Sequence, residues 1–163
     1  MLEKTTWHRY ELIIICDNQG TPERDKWLAD IGQVDPARVK TERFDGAFSY
    51  SAMANLAAEQ AIGDYLLFMH CEMAVTDGEW VDNLLNHGQR PEVFAVGGKH
   101  LSSDNKIRHA GYILGVNGAV GEVFRGNDDN APNYLGRMNV DQNYSAVSGD
   151  LVLMRRSIFD ELG

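Results

Sequence analysis

The chain has 163 residues, the size of one ordinary domain with enough length to bury a real core. At 44% hydrophobic and 24% charged residues its composition is that of a globular protein, and its apolar runs are too short to span a bilayer. Twenty-four acids against fifteen Lys and Arg give a formal charge of -9, which repels phosphate backbones and argues against nucleic acid as the main partner. The two cysteines, Cys16 and Cys71, do not make a disulfide framework, and no charged-then-apolar leader opens the chain, so a reducing, cytoplasmic setting is expected.

In chain order, "YELIIIC" (Tyr10 to Cys16) is a β-branched run without polar alternation, as expected of a central parallel strand covered on both faces. Turn formers follow in "DNQGTPE". Thr21 and Pro22 then start a helix with Trp27, Leu28 and Ile31 on one face and Gly32 as its stop. "RVKTERF" is a weaker second strand, and the alanine-rich segment Ala52 to Ile62 is a helix ending at Gly63. "DYLLFM" is the third strand, a helix spans about Glu79 to His87, and "EVFAVGG" is the fourth strand. This alternation predicts an α/β domain with a mostly parallel central sheet flanked by helices. After Gly98 the pattern changes to Gly-rich loops and short strands, until "SAVSGDLVLMRR" returns to an apolar strand with a short helix from Ser157.

In such a sheet, ligands collect where strands end and loops and helix N-termini converge. Asp17 and Asn18 directly follow the first strand, and "HCE", His70 to Glu72, directly follows the third, so both groups are expected to open into one crevice. Oxygen and imidazole ligands suit Mg²⁺ or Mn²⁺, which would neutralise a diphosphate in this acidic chain. The plainer alternative is that these residues are turn formers and helix caps, with Cys71 as buried filler.

The segments "YELIIICDN" and "GAFSYSAMANLAAEQAIGDYLLFMHCE", followed in order by "RPEVFAVGGKHLSSDNKIRHAGYILG", "FRG" and "NYSAVSGDLVLMRRSIFDELG", resemble the family 2 glycosyltransferases, especially rhamnosyltransferase-like bacterial members. The likeness covers nearly the whole chain as a single partial domain, residues 1–163. It implies a GT-A fold and transfer of a sugar from a nucleotide-diphosphate sugar to a glycan or lipid-linked acceptor, in the making of cell-envelope polysaccharide. In the family a metal, Mn or Mg, assists departure of the nucleoside diphosphate and a carboxylate deprotonates the acceptor hydroxyl.

Residue by residue, Asp17 matches the family's nucleobase aspartate, with an Asx turn as the alternative. Asp45 falls on a polar loop position near the donor, or is a plain Asp-Gly turn. Asn55 matches a helix asparagine with a donor-side or packing role, or lies on a solvated helix face. His109 fits the "HAG" pattern and would face the donor phosphates or the acceptor, against a structural role in a Gly-rich loop. The metal motif departs from the pattern: His70 and Cys71 stand where the family has Asp or Asn, and Glu72 replaces an Asp, so metal binding at Glu72 and His70 is weakened, altered or absent. Asp150 stands where the family has a small apolar residue, either an extra polar group on the acceptor side or a strand-edge charge.

The resemblance also implies an internal fragment, truncated at both ends. The family's first strand would precede this chain, with "LEKTTWHRYE" as the tail of the helix after it, and the catalytic base would lie beyond Gly163, leaving Asp150 as the local candidate. Such a chain is expected to be inactive alone, and a sheet lacking a central strand would pair through its edge into a homodimer. Missing parts of a longer protein would supply any attachment at the inner face of the membrane. Two other readings stand: a non-catalytic nucleotide-sugar or carbohydrate-binding module, and a nucleotidyltransferase.

Overall fold

The computed structural model describes residues 3–162. Its strands are β1 (Leu12–Asp17), β2 (Val39–Phe44), β3 (Tyr65–Met69), β4 (Ala95–Gly97), β5 (His100–Leu101), β6 (Ile107–His109), β7 (Tyr112–Leu114), β8 (Val120–Glu122) and β9 (Leu151–Arg155). The α-helices are α1 (Pro22–Val34), α2 (Tyr50–Gln60), α3 (Trp80–Gly88) and α4 (Arg156–Leu162).

The alternation of the first half gives an open α/β arrangement. β1 pairs parallel with β2, Leu12 opposite Val39 through Asp17 opposite Phe44. β9 lies between β3 and β4 and runs antiparallel to both, so β3 and β4 share one direction. Four strands thus follow the expected parallel sense within their sheets, and β9 is reversed. α1 packs on β2, α2 on β1, and α3 on β4 and β9. Val81, Leu84 and Leu153 are buried where α3 packs on the three-stranded sheet, Leu66 and Val152 are buried on the opposite face of that sheet, and Leu28 and Val39 mark the smaller core under α1. Gly88 permits the close approach of α3, because a Cβ there would come within 2.8 Å of Leu153 Cδ2.

The two sheets are separate. Among the described residues β1 pairs with β2 and β3 with β9, and no ladder joins β1 to β3. They nevertheless start together, since Glu11, just before β1, accepts the Ile62 N–H at 2.5 Å just before β3, and its other oxygen takes Lys40 Nζ at 2.8 Å. The continuous apolar run of β1 is therefore only half-buried, not covered on both faces as its composition predicts.

Local signals set the helix starts. Thr21 Oγ1 accepts from Arg24 N, Pro22 supplies a preset φ at the first position, and Ser49 Oγ accepts from Ala52 N. Three expectations shift. α1 runs through Gly32 to Val34, and Trp27 is 53% exposed with Leu28 the buried residue of that helix. β4 is short because Val93 N bonds back to Arg90 O in a turn. Residues 5–11 are not the tail of a helix: Thr6 donates to Gly78 O through both its amide and its hydroxyl, and Trp80 Nε1 donates to Thr5 Oγ1.

The second half is two small hairpins, β5–β6 and β7–β8, stitched together by turns. Ile107, the most buried large side chain, exchanges backbone bonds with Gly126 and Asn127, which fixes the "FRG" loop against β6. Tyr112 bridges to Ala146 and so links this half to the lead-in of β9.

Candidate active site

Asp17 closes β1. Its Oδ1 receives Arg24 Nη1 at 2.7 Å and the Gln19 amide at 3.2 Å, while Arg24 Nη2 donates to the Asp17 carbonyl. The Arg24 hydrogen bond holds the Asp17 carboxyl below the usual carboxylate range. Asn18 Nδ2 bonds Asp45 Oδ1, so the ends of β1 and β2 form one acidic lip, with Asp45 exposed. Asn55 is exposed midway along α2, and its side chain makes no hydrogen bond among the described residues.

A second cluster lies where β3 ends. Three successive residues of the turn before β9 are each held by a different element. Ser148 N donates to His109 Nε2 at 3.1 Å, Gly149 O accepts Tyr50 Oη at 2.7 Å, and Asp150 O accepts His70 N at 2.8 Å. Asp150 presents an exposed carboxylate, and its amide is held by Ser148 Oγ. Burial raises the Tyr50 phenol pKa, and the negative charge of Asp150 adds to the rise. Tyr50 opens α2, the helix that packs on β1, so one helix touches both the strand that Asp17 ends and this turn.

His70 is half-buried and Glu72 exposed. His70 Nδ1 accepts the Glu72 amide at 3.3 Å, so in this arrangement the proton of the neutral ring is on Nε2. Among the described residues no three His, Cys, Asp or Glu side chains gather closely enough to enclose an ion. Glu72 and Asp150 are the exposed carboxylates at this end of β3 and β9. His109 is 5% exposed and lies behind the turn, not on its open side. A hollow of about 330 Å³ sits elsewhere, at the start of β3, lined by Asp64, Tyr65, Arg155, Arg156, Ser157 and Asp160.

Sequence reasoning missed Tyr50, Ser148, His100 and Glu122. The hydroxyl of Tyr50 sits next to a recognisable cap, Ser49, but nothing local predicts its partner 99 residues away.

An α/β domain with acidic residues at its strand ends is the class of protein that this geometry defines. Comparison makes it specific: the family described as glycosyl transferase family 2 matches residues 1–163, and the chain belongs to that family. Its fold is accordingly GT-A. The chain is 35% identical over its full length to the O-antigen biosynthesis protein RfbC of Myxococcus xanthus, of which it covers 13%. It is 33% identical, again over its full length, to the uncharacterized protein y4gI of Sinorhizobium fredii, of which it covers 18%. The chain thus spans less than a fifth of either relative. Among the described residues no helix is long and apolar enough to cross a membrane.

Proposed function

We propose that this glycosyltransferase domain binds a nucleotide-diphosphate sugar and delivers the sugar to a hydroxyl of a glycan or lipid-linked acceptor, in the assembly of an envelope polysaccharide. The observation that carries the reading is the family match over the whole chain, with Asp17, Asp45, Glu72 and Asp150 each at or near a strand end. Asp17 and Asp45 form the donor-base lip, with Arg24 keeping Asp17 ionised. Glu72 is the residue that would hold Mn²⁺ or Mg²⁺ against the diphosphate, and His70 shapes that turn through Nδ1. Such an ion would offset the charge that grows on the leaving diphosphate. The O-antigen biosynthesis for which the Myxococcus relative is named supports a polysaccharide acceptor. Among the described residues β1 and β3 each have one edge without a strand partner, which supports association of copies through a sheet edge.

The test is calorimetric titration of the chain with uridine, guanosine and deoxythymidine diphosphates, with and without Mn²⁺. One nucleotide should bind only with metal, and Glu72→Ala should remove that dependence without unfolding the chain, since an exposed carboxylate contributes little packing. Equal affinity with and without Mn²⁺ in the unmutated protein would refute the role of Glu72.

A further inference from the structure

Two imidazoles are buried side by side in the second half. His100 on β5 stands opposite His109 on β6, the ring centroids are 5.3 Å apart, and each residue is 5% exposed. On its other side His109 meets the ring of Tyr112, on β7, at 4.5 Å. The hydrogen bonding of His109 is one-sided. Nε2 accepts the Ser148 amide at 3.1 Å, so the proton of the neutral ring resides on Nδ1. Nδ1 finds no hydrogen-bond acceptor, because Glu122 Oε1 is 3.9 Å away, and His100 Nε2 is also unpartnered. Leaving two buried ring nitrogens without partners is costly for a fold. The bond that His109 does make is the one that fixes the turn.

We propose that His109 is a positioning residue for the candidate active site: its unprotonated Nε2 anchors the Ser148–Asp150 turn to β6, and the turn keeps its shape only while that nitrogen carries no proton. Of the three anchors of the turn, His70 acts through its backbone amide and Tyr50 through a phenol that stays protonated at neutral pH. His109 alone of the three holds the turn through a side-chain nitrogen that takes up a proton on acidification. Protonation would set an N–H of the ring against the N–H of Ser148, a residue 8% exposed, and leave that amide without its acceptor.

The charged and titratable groups around the ring act in both directions. Glu122 on β8 and Asp150 in the turn favour the imidazolium. On neighbouring His100 of β5, burial, His109 and Arg108 of β6 act against the charged form and Asp150 favours it. Burial outweighs the two carboxylates and moves His109 below its ordinary value. Loosening of the turn therefore falls on the acid side of neutrality, with the anchor intact above it.

The importance of the turn to catalysis rests on the proposed function, so the experiment reads the turn itself. Long-range proton–nitrogen NMR spectra of the chain give the His109 tautomer and its titration, and hydrogen exchange gives Ser148 protection from about pH 5 to about pH 8. The expected result is an Nδ1–H tautomer at neutral pH, and loss of Ser148 protection by about tenfold or more as His109 protonates, with Leu153 in β9 unchanged. His109→Gln supplies an acceptor oxygen that does not titrate, and should retain protection while abolishing its pH dependence. An Nε2–H tautomer at neutral pH, or Ser148 protection indifferent to His109 titration, would overturn the proposal in the native chain whether or not the variant folds. Adding the nucleoside diphosphates with Mn²⁺ separates the two readings. Binding should weaken over the same pH window in the native chain and not in His109→Gln. No binding at any pH, with the exchange result as expected, counts against the proposed function and leaves the positioning role standing.

Discussion

Arg156 joins three parts of the molecule with one side chain. It follows β9 directly, and its guanidinium donates to the carbonyls of Ala58 at 3.0 Å, Ala61 at 2.6 Å and Gly63 at 2.9 Å. These lie at the C-terminal end of α2 and in the link to β3, where helix carbonyls lack partners of their own. Arg156→Ala removes all three bonds. A hydrogen bond to a charged group contributes about 1.5–3 kcal/mol, but the site is half-exposed and water would regain some of the carbonyls, so a net loss of about 3 kcal/mol is expected. That is a large share of a total stability of about 5–15 kcal/mol. With a urea slope of about 2 kcal/mol/M for a domain of this size, the unfolding midpoint should fall by about 1.5 M. Arg156→Lys keeps a single point donor and should recover about a third of the loss. Urea titrations followed by circular dichroism and Trp fluorescence measure both variants. An alanine variant within about 0.5 kcal/mol of the native chain, at unchanged slope, would refute the claim that Arg156 carries the α2–β9 junction.

Gly111 has φ of +140°, and a Cβ there would lie 2.2 Å from the Tyr144 ring, so Gly111→Ala should cost about 2–5 kcal/mol in the same titration; a loss under about 1 kcal/mol would mean that the Tyr144 contact yields freely. Stability should also vary with pH in two windows. Burial holds His100 and His109 below their ordinary values, so their contribution is full above the ordinary histidine pKa and is lost as pH falls through the depressed folded values. Burial pushes Glu11 upward, but the Ile62 amide, Lys40 and the Gly63 amide outweigh it, so its contribution is full above the ordinary carboxylate value and is lost on further acidification. Glu11→Gln should flatten the second window and leave the first; an unchanged acid limb would show that Glu11 does not tie β1 to the start of β3.

Much of the scaffold was legible because it is written in short-range chemistry. β1 is a run of β-branched residues, α2 is rich in alanine, though it starts two residues before the expected Ala52, and Thr21-Pro22 marks the start of α1. These preferences act between residues no more than four apart and need no knowledge of the rest of the chain. The family likeness rested on the same segments in order, and the match over residues 1–163 agrees with it. Where the tertiary structure intervened, local preference was outweighed. Gly32 did not stop α1, because one unfavourable residue costs about 1 kcal/mol and the packing of the helix on β2 exceeds it. "EVFAVGG" lost its first half as strand because Arg155, from β9, draws the carbonyls of Arg90, Pro91 and Val93 into a turn.

The site divides in the same way. That Asp17 and His70 would follow strands could be read from the apolar runs that precede them, since a strand's end is a local event. That His70 spends Nδ1 on the Glu72 amide, that Tyr50 holds Gly149, and that His109 lies buried behind Ser148 could not. The last two join residues 99 and 39 positions apart. Such a bond depends on where the chain returns after several turns, and on which polar atoms are then shut away from water and need a partner. The sequence by itself determined the long strands β1, β3 and β9, the start of α1 and the family; the extent of β4 and the roles of the polar side chains were decided by tertiary packing, because burial sets which of them is exposed to a ligand and which must satisfy the backbone.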